Sequence, residues 1–207
     1  MKAHTAESQA TVTPDKALQF LKEGNNRFIN NLKINRNLLE QVNDTREGQW
    51  PFAIVLSCID SRTSAELVFD QGLGDIFSVR IAGNILNEDI LGSMEFATKV
   101  VGSRIIVVLG HSKCGAVKGA CDHIEMGNLT TLLNKIQPAV YEEKSTTENR
   151  NSKNAEFVEK VASLNVRLTI ERIRRESVII RDLEESGAIK IVGGMYDVDS
   201  GKVDFYE

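Results

Sequence analysis

Residues 51–71 read PFAIVLSCIDSRTSAELVFDQ, and this stretch decides the fold. Its first part, FAIVLS, is a short continuous apolar run, which is typical of a strand buried on both faces of a parallel sheet. The last part, SAELVFDQ, has helical character. Between them Cys58, Asp60 and Arg62 stand at alternate positions and would point the same way if the strand continued. The stretch therefore predicts a strand, a polar corner and a helix.

The same alternation of strand and helix repeats along the chain. IFSVRIAG predicts a second strand followed by the helix DILGSMEFATKVVG, and RIIVVLG predicts a third strand followed by the helix CGAVKGACDHIEMG, which should close at Gly127. AIKIVGGMYDV and KVDFYE are separated by Asp199, Ser200 and Gly201, which predicts a hairpin with its last strand at a sheet edge. We therefore expect a single α/β domain with a mainly parallel central sheet of about four strands, an antiparallel edge strand and flanking helices.

Helical signals also occur near the start of the chain and before the hairpin. Thr13, Pro14 and Asp15 supply an N-cap hydroxyl, a proline at the first helical position and an acid in the first turn. The following ALQFLKEGNNRFINNL has helical spacing, which Gly24 weakens. Residues 129–185 are also expected to be helical, apart from a loop at TTENRNSKN. One apolar stripe runs along that region: Phe157, Val161, Leu164 and Leu168.

Composition narrows the class of protein. A chain of 207 residues is long enough for one α/β domain, and its net charge of −4, with both signs interspersed, argues against nucleic acid or an anionic membrane as the main partner. No apolar run approaches membrane-spanning length and the first residues are polar, so we expect a cytoplasmic protein. Three cysteines in a domain with ample core favour metal binding or thiol chemistry over a disulfide framework.

Three side chains are expected to meet at one edge of the sheet. Cys58 follows the first predicted strand and His111 the third, so both lie at carboxyl ends of parallel strands, where open α/β sheets place their ligand sites. Cys114 lies three residues after His111, which is a chelating spacing. Two thiolates and one imidazole suit zinc, and three protein ligands with one exchangeable position form its catalytic arrangement.

The remaining cysteine and histidines do not supply a good fourth ligand. Cys121 falls mid-helix and is expected to be a small core residue, His4 lies in a tail expected to be mobile, and His123 is expected at the surface. A simpler interpretation stays open at this point, since a buried cysteine at a strand end usually only packs and an isolated H-x-x-C often arises by chance.

The acid and base beside Cys58 weigh against that simpler interpretation. Asp60 and Arg62 are expensive to bury without each other, and Arg62 can hold the Asp60 carboxylate bidentately and keep it ionised. We therefore expect the thiol to hold the metal, the carboxylate to face the metal's open position and the guanidinium to orient the carboxylate.

These motifs resemble those of the β-class carbonic anhydrases, zinc enzymes that interconvert CO2 and bicarbonate. The resemblance is carried by C-I-D-S-R at 58–62 and H-S-K-C-G at 111–115. Supporting matches are GNNRF at 24–28, Gln49, FSVRIAGN at 77–84 and GSMEFA at 92–97. It implies a single domain over residues 1–207. Its parts would be an N-terminal helical arm at 1–50, a zinc-site core at 51–127, and helices with the closing hairpin at 128–207.

The resemblance implies roles for the site residues. Cys58, His111 and Cys114 would bind Zn2+, Asp60 and Arg62 would form the catalytic pair, and Asp60 would become the fourth ligand if that pair breaks. The activity implied is reversible hydration of CO2 by zinc-bound hydroxide.

It also implies a substrate site. Gln49 would donate a hydrogen bond to the substrate, and the walls of an apolar CO2 pocket would come from Phe77, Ala82, Gly83 and Phe96, the last supplied by the partner subunit. Ordinary core packing remains an alternative for the pocket residues. The family more often has valine at the position of Ala82 and tyrosine at that of Phe96.

The family further implies a homodimer or homotetramer, with the active site near the dimer interface and the N-terminal arm packed on the partner. Members inhibited by bicarbonate have a tryptophan where this chain has Val55, which favours a site without that effector pocket. Two other functions stay open. One is hydrolysis of CS2 or COS at the same zinc, and the other is a non-enzymatic zinc or thiol regulatory role.

Overall fold

A computed structural model describes residues 3–206 and contains a five-stranded sheet in the order β2-β1-β3-β4-β5. The first four strands are parallel, and β5 is antiparallel to β4 at the edge. The strands are β1 Ala53–Ser57, β2 Ile76–Arg80, β3 Ile105–His111, β4 Lys190–Tyr196 and β5 Val203–Tyr206. The predicted α/β architecture is confirmed, including the closing hairpin and its edge strand.

Helices flank the sheet. They are α1 Ala6–Ala10, α2 Pro14–Ile29, α3 Leu38–Thr45, α4 Ala65–Val68, α5 Glu88–Glu95, α6 Gly115–Cys121, α7 Gly127–Asn134, α8 Gln137–Glu142, α9 Ala155–Glu176 and α10 Val178–Glu185. A 3-10 turn, Ala82–Asn84, follows β2, and a π-helix, Phe96–Val100, continues α5. The helix predicted after the first strand is only four residues long. Within residues 3–206 no helix is both long and apolar enough to cross a membrane.

The end of α6 differs from the prediction. We expected this helix to close at Gly127, but it ends at Cys121, and Gly127 is the first residue of α7. His123 adopts the left-handed conformation at φ 50°, and the N–H groups of His123 and Ile124 donate to carbonyls of the last turn. This is the hydrogen-bond pattern of a Schellman cap, with histidine where glycine is usual.

Gly24 lies inside α2 without interrupting it. A Cβ at this position would lie 1.7 Å from the carbonyl oxygen of Phe69, so the glycine permits a close approach between α2 and the end of α4. The helix begins as predicted, with the Thr13 side chain accepting a hydrogen bond from the Lys16 N–H and Pro14 in the first turn.

Apolar side chains cover both faces of the sheet. One cluster joins the sheet to α2 and α4 and includes Leu21 and Phe69, and the other joins it to α5, α9 and α10 and includes Ile173 and Ile180. A third cluster, containing Val117, fills the space between α6, α8 and α9. The core therefore fixes the carboxyl ends of β1 and β3 from several sides.

The apolar stripe on α9 and the ring of His4 both pack against the rest of the domain. The stripe on α9 is apolar and inward-facing: Phe157 and Val161 are buried and Leu164 and Leu168 pack partly buried against the third cluster. His4 does not lie in a free tail, since its ring packs against Phe20 and Phe52.

The N-terminal arm has a surface to cover within its own chain. Phe20 and Phe28 of α2 are partly buried against the core cluster shared with α4, whereas Ile29 is 42% exposed. Packing on a partner is therefore not needed to explain the two phenylalanines.

Candidate metal centre

The three predicted ligands converge at the carboxyl ends of β1 and β3. Cys58 directly follows β1, His111 is the last residue of β3, and Cys114 immediately precedes α6. Parallel pairing of β1 with β3 aligns Ser57 with Leu109, which brings the two strand ends side by side. All three side chains are buried, and one donor atom from each lies within 4.8 Å of the others.

The ring of His111 is oriented to offer a nitrogen to a metal. Its Nδ1 lies 2.9 Å from the carbonyl oxygen of Ser112, and because a carbonyl only accepts, Nδ1 carries the proton. The other nitrogen, Nε2, is buried and has no hydrogen-bond partner among residues 3–206. A buried polar atom without a partner is costly, so a metal ion at this place would satisfy it.

The two thiols form a coupled pair. Their sulfurs are 4.0 Å apart, and the Cys58 sulfur also accepts a hydrogen bond of 3.4 Å from the backbone N–H of Gly83. The pKa of the Cys58 thiol is lowered, chiefly by its hydrogen bond with Cys114, although burial acts in the opposite direction. The pKa of Cys114 is raised by the same hydrogen bond and by burial. Because a metal binds cysteine as the thiolate, binding of a divalent cation at this place would release protons from the two thiols.

Asp60 and Arg62 form the predicted bidentate pair. Arg62 donates from Nε to Oδ1 at 2.9 Å and from Nη2 to Oδ2 at 2.8 Å, and its backbone N–H adds a third contact of 3.0 Å. These bonds hold the pKa of the Asp60 carboxyl well below its usual range. Of the residues that the structure describes, only Cys58, His111 and Cys114 make up the metal group, so Asp60 is paired with arginine in this structure instead of joining the ligands.

Arg80 supports this corner, and sequence analysis assigned it no role. It lies at the end of β2 and donates to two carbonyls, that of Cys58 at 3.1 Å and that of Asp60 at 2.6 Å. The hydroxyl of Thr63 donates to the same two carbonyls. The backbone of residues 58–60, which carries the thiol and the carboxylate, is therefore fixed by hydrogen bonds from both Arg80 and Thr63. The sequence contained a signal for this role, because Arg80 lies near the end of the second predicted strand, which follows the strand that precedes Cys58 in the same predicted parallel sheet.

Gly83 contacts the centre through its backbone. It has a left-handed conformation at φ 68°, and a Cβ there would lie 2.5 Å from Cδ1 of Ile136. Asn165 of α9 donates to the Gly83 carbonyl at 2.9 Å. Only a residue without a side chain fits between the metal centre and α8, which explains the glycine. Ala82 lies beside it in the 3-10 turn and is half-buried.

Phe77 and Phe96 of the same chain lie together, whereas the resemblance implies a pocket in which Phe96 comes from the partner subunit. Their ring centroids are 6.4 Å apart, and both line a cavity of about 670 Å³ between β2, α5 and the π-helix. Phe96 is 52% exposed and Val100, one turn later, is 71% exposed. An apolar surface of this kind is typical of an interface.

Gln49 is not brought to the metal centre within this chain. It is exposed and precedes β1, whereas Cys58 follows the same strand. A strand of five residues is about 16 Å long, so the two residues lie at opposite ends of the sheet.

Comparison with known proteins adds an independent finding. The family model described as carbonic anhydrase matches residues 53–203. The chain is 34% identical over 195 residues to carbonic anhydrase 2 of Mycobacterium tuberculosis, covering 91% of each protein, and 32% identical over 197 residues to the carbonic anhydrase of Mycolicibacterium smegmatis, covering 92% of each. Among solved structures it resembles a tetrameric β-carbonic anhydrase of Sordaria macrospora, with a TM-score of 0.69, 26% identity, and coverage of 77% of this chain and 82% of that one.

Proposed function

Since this chain belongs to the β-class carbonic anhydrase family, we propose that it catalyses the reversible hydration of CO2 to bicarbonate and a proton. One observation carries the proposal. Three buried donor atoms, from Cys58, His111 and Cys114, lie within 4.8 Å of one another. Asp60, two positions after Cys58 in the chain, forms a bidentate carboxylate–guanidinium pair with Arg62. That combination provides a metal centre and, beside it, an oriented acceptor.

We propose that the metal is zinc. Two thiolates and one imidazole are donors that zinc prefers, and the buried unpartnered Nε2 of His111 fits a ligand atom. When bound, zinc acidifies a water molecule and so supplies a nucleophile near neutral pH. Because the two thiolates cancel the formal charge of Zn2+, acidification should be weaker than in a site with three neutral histidines, so the rate should rise above neutrality.

Asp60 would act as a hydrogen-bond acceptor. The contacts from Arg62 hold both carboxylate oxygens in place and keep the pKa of the carboxyl low, so the group stays an anion over the physiological range. Oδ1 already accepts two hydrogen bonds from Arg62, whereas Oδ2 accepts one and retains a lone pair that can orient a water molecule in the site. Arg80 and Thr63 fix the backbone from which this carboxylate projects.

The cavity beside β2 supports a second copy of the chain next to it. Its lining includes Glu88 and Asp89 and none of the candidate metal ligands, so the proposed CO2 pocket rests on the family resemblance. Phe77 and Phe96 line that cavity, and the exposed Phe96 and Val100 would be covered by a partner subunit. A homodimer, or a tetramer of the kind described for the Sordaria macrospora protein, would provide this cover. Since Gln49 lies at the far end of β1 from Cys58, its proposed contact with substrate would also require the partner.

The non-enzymatic zinc or thiol interpretation receives less support. It expects a closed centre with four ligands and gives the pair of Asp60 and Arg62 no use, whereas the described residues form a group of three beside an intact pair.

Val55, at the position linked to bicarbonate inhibition, is fully buried in the core, which fits a site without that effector pocket. The cysteine usage supports our proposal of a cytoplasmic location.

The test is to replace Arg62 with alanine and to measure zinc content together with stopped-flow CO2 hydration from pH 6 to pH 9. We expect the variant to retain zinc and to lose most of its activity, because Asp60 is no longer oriented. Arg46→Ala is the matched control and should behave as wild type, because this exposed arginine pairs only with Glu47 in the part of the chain that the structure describes.

Three outcomes would contradict the proposal. A wild-type protein that lacks zinc, or that hydrates CO2 no faster than buffer, would reject it, and so would an Arg62→Ala variant with full activity. Assays with COS and CS2 on the same preparation would identify a hydrolase of those substrates instead.

A further inference from the structure

The turn between β4 and β5 is joined to the loop that carries His111 and Cys114. This turn, residues 197–202, closes on itself through backbone hydrogen bonds from the Asp197 N–H to the Lys202 carbonyl at 2.9 Å and from the Gly201 N–H to the Asp197 carbonyl at 2.8 Å. It is therefore a fixed support and not a loose connection.

Ser112 is the main point of contact. Its backbone N–H donates to the Tyr196 carbonyl at 2.9 Å, its hydroxyl donates to Oδ1 of Asp197 at 3.2 Å, and the same hydroxyl accepts from the Val198 N–H at 2.9 Å. The Ser112 carbonyl is also the group that accepts the Nδ1 proton of His111. One residue thus links the hairpin to the ring of a proposed ligand.

Asp197 organises this contact from the hairpin side. Besides Ser112, it accepts from the Asp199 N–H at 3.1 Å and from the Ser200 hydroxyl at 2.6 Å. The hydrogen bond from Ser200 is the largest cause of the lowered pKa of the Asp197 carboxyl, so the group is an anionic acceptor. The hydrogen bond from the Ser112 hydroxyl, at 3.2 Å, is longer than the one from Ser200, so the contacts from Ser200 and from the Asp199 N–H hold the carboxylate in place and the carboxylate in turn offers Ser112 an acceptor.

Lys113 shows that the loop needs external support. Its φ of 58° is a left-handed conformation that a lysine rarely adopts. The backbone N–H of Lys113 donates to Glu159 of α9 at 2.8 Å, and its Nζ pairs with Asp199 at 2.6 Å. Groups on α9 and on the hairpin turn therefore hold the loop between His111 and Cys114 in an otherwise unfavourable shape.

We propose that Asp197 is a positioning residue for the metal centre: through Ser112 it fixes the carbonyl that selects the tautomer and the orientation of His111. The effect passes along a chain of hydrogen bonds from Asp197 to the Ser112 hydroxyl, and from the Ser112 carbonyl to Nδ1. Loss of the carboxylate leaves Nε2 free to turn away from the two sulfurs. This inference rests on the proposed zinc site but not on the substrate.

The experiment measures the zinc dissociation constant by competition with a chromophoric chelator, using the full chain with Asp197→Ala, Asp197→Asn and Ser112→Ala. Groups that orient a metal-bound histidine typically contribute about 10-fold to 100-fold in metal affinity. We expect about 10-fold weaker binding for Asp197→Ala and Ser112→Ala, and partial rescue in Asp197→Asn, whose amide oxygen still accepts from Ser112. Lys202→Ala is the control and should bind zinc as wild type does, because among residues 3–206 the Lys202 side chain forms an ion pair only with Asp204.

A second readout is the visible absorption spectrum of the Co2+-substituted protein, which reports ligand geometry and which a general loss of stability would not shift. We expect a changed spectrum for Asp197→Ala and a spectrum closer to wild type for Asp197→Asn. If Asp197→Ala does not fold, judged by circular dichroism, Asp197→Asn and Ser112→Ala decide the question.

Variants that all bind zinc within twofold of wild type, with unchanged Co2+ spectra, overturn the inference and leave the proposed function standing. Weaker zinc binding in the variants of a protein that does not hydrate CO2 supports the inference while rejecting the function. A wild-type protein without zinc affinity rejects both.

Discussion

A methyl group added at Gly83 should damage both stability and the metal centre, and the size of the effect can be worked out in parts. The left-handed conformation at φ 68° costs a non-glycine residue about 1–2 kcal/mol. The new Cβ would lie 2.5 Å from Cδ1 of Ile136, a fully buried side chain, and overpacking of this kind costs about 1–3 kcal/mol. We therefore expect Gly83→Ala to lower the free energy of unfolding by about 2–5 kcal/mol.

The two parts can be separated with Ile136→Val, which removes the clashing Cδ1. Alone, this substitution should cost about 0.5–1.5 kcal/mol, but in the Gly83→Ala background it should cost nothing or restore stability, because it relieves the overlap. Urea unfolding of all four proteins, metal-free and at one fixed protein concentration, gives the coupling energy.

Gly83→Ala should also weaken zinc binding, because a shift of the backbone at residue 83 would move its N–H away from the Cys58 sulfur. If the free energy of unfolding of Gly83→Ala were within about 0.5 kcal/mol of wild type, the steric reasoning would be refuted. Effects that small are typical of surface substitutions and would not be expected at a buried contact. Additive effects of the two substitutions would refute the role assigned to Ile136.

Three further outcomes are expected. Gly24→Ala should lower Tm by about 6 °C or more, because its Cβ would meet the Phe69 carbonyl, a backbone atom that cannot rotate away; a Tm within about 2 °C of wild type would contradict this. Burial acts to raise the pKa of the Asp70 carboxyl, but hydrogen bonds from arginines, including the buried Arg36, are strong enough that the pKa is lowered overall. The contribution of Asp70 to the free energy of unfolding is therefore present at neutral pH and is lost as the pH falls through the lowered pKa. Asp70→Asn should therefore lose about 3 kcal/mol at pH 7, a deficit measured by urea unfolding that shrinks below about pH 4, whereas a deficit independent of pH would argue against the pairing. The CO2 hydration rate should rise from pH 7 to pH 9 because the two thiolates weaken acidification of water, and full activity at pH 6 would show that this charge argument fails.

The sheet could be predicted from sequence because its central strands are buried throughout. Every residue of β1 and β3 is buried, which produces the continuous apolar runs that mark parallel strands. Convergence of Cys58, His111 and Cys114 followed from the same topology, since the carboxyl ends of neighbouring parallel strands meet. The pair of Asp60 and Arg62 was predictable because two residues of separation bring the side chains within reach of each other.

Features that depend on backbone geometry at a distance were not predictable. Gly24 looked like a weak point in a helix, but its reason is a contact with Phe69 on another element. The cap of α6 placed a left-handed histidine, His123, where sequence statistics favour glycine.

The route of the polypeptide between Cys58 and His111, two of the proposed metal ligands, has a consequence for how the protein acquires its ion. Cys58 and His111 are separated by the whole of β2 and α5, so their donor atoms meet only after β1 and β3 have paired across that long crossover. Contacts of such high sequence separation form slowly, because loop-closure entropy opposes them. A nascent chain should therefore capture its ion late, after the sheet has assembled, and once captured the ion should retard unfolding, since opening the crossover would release it.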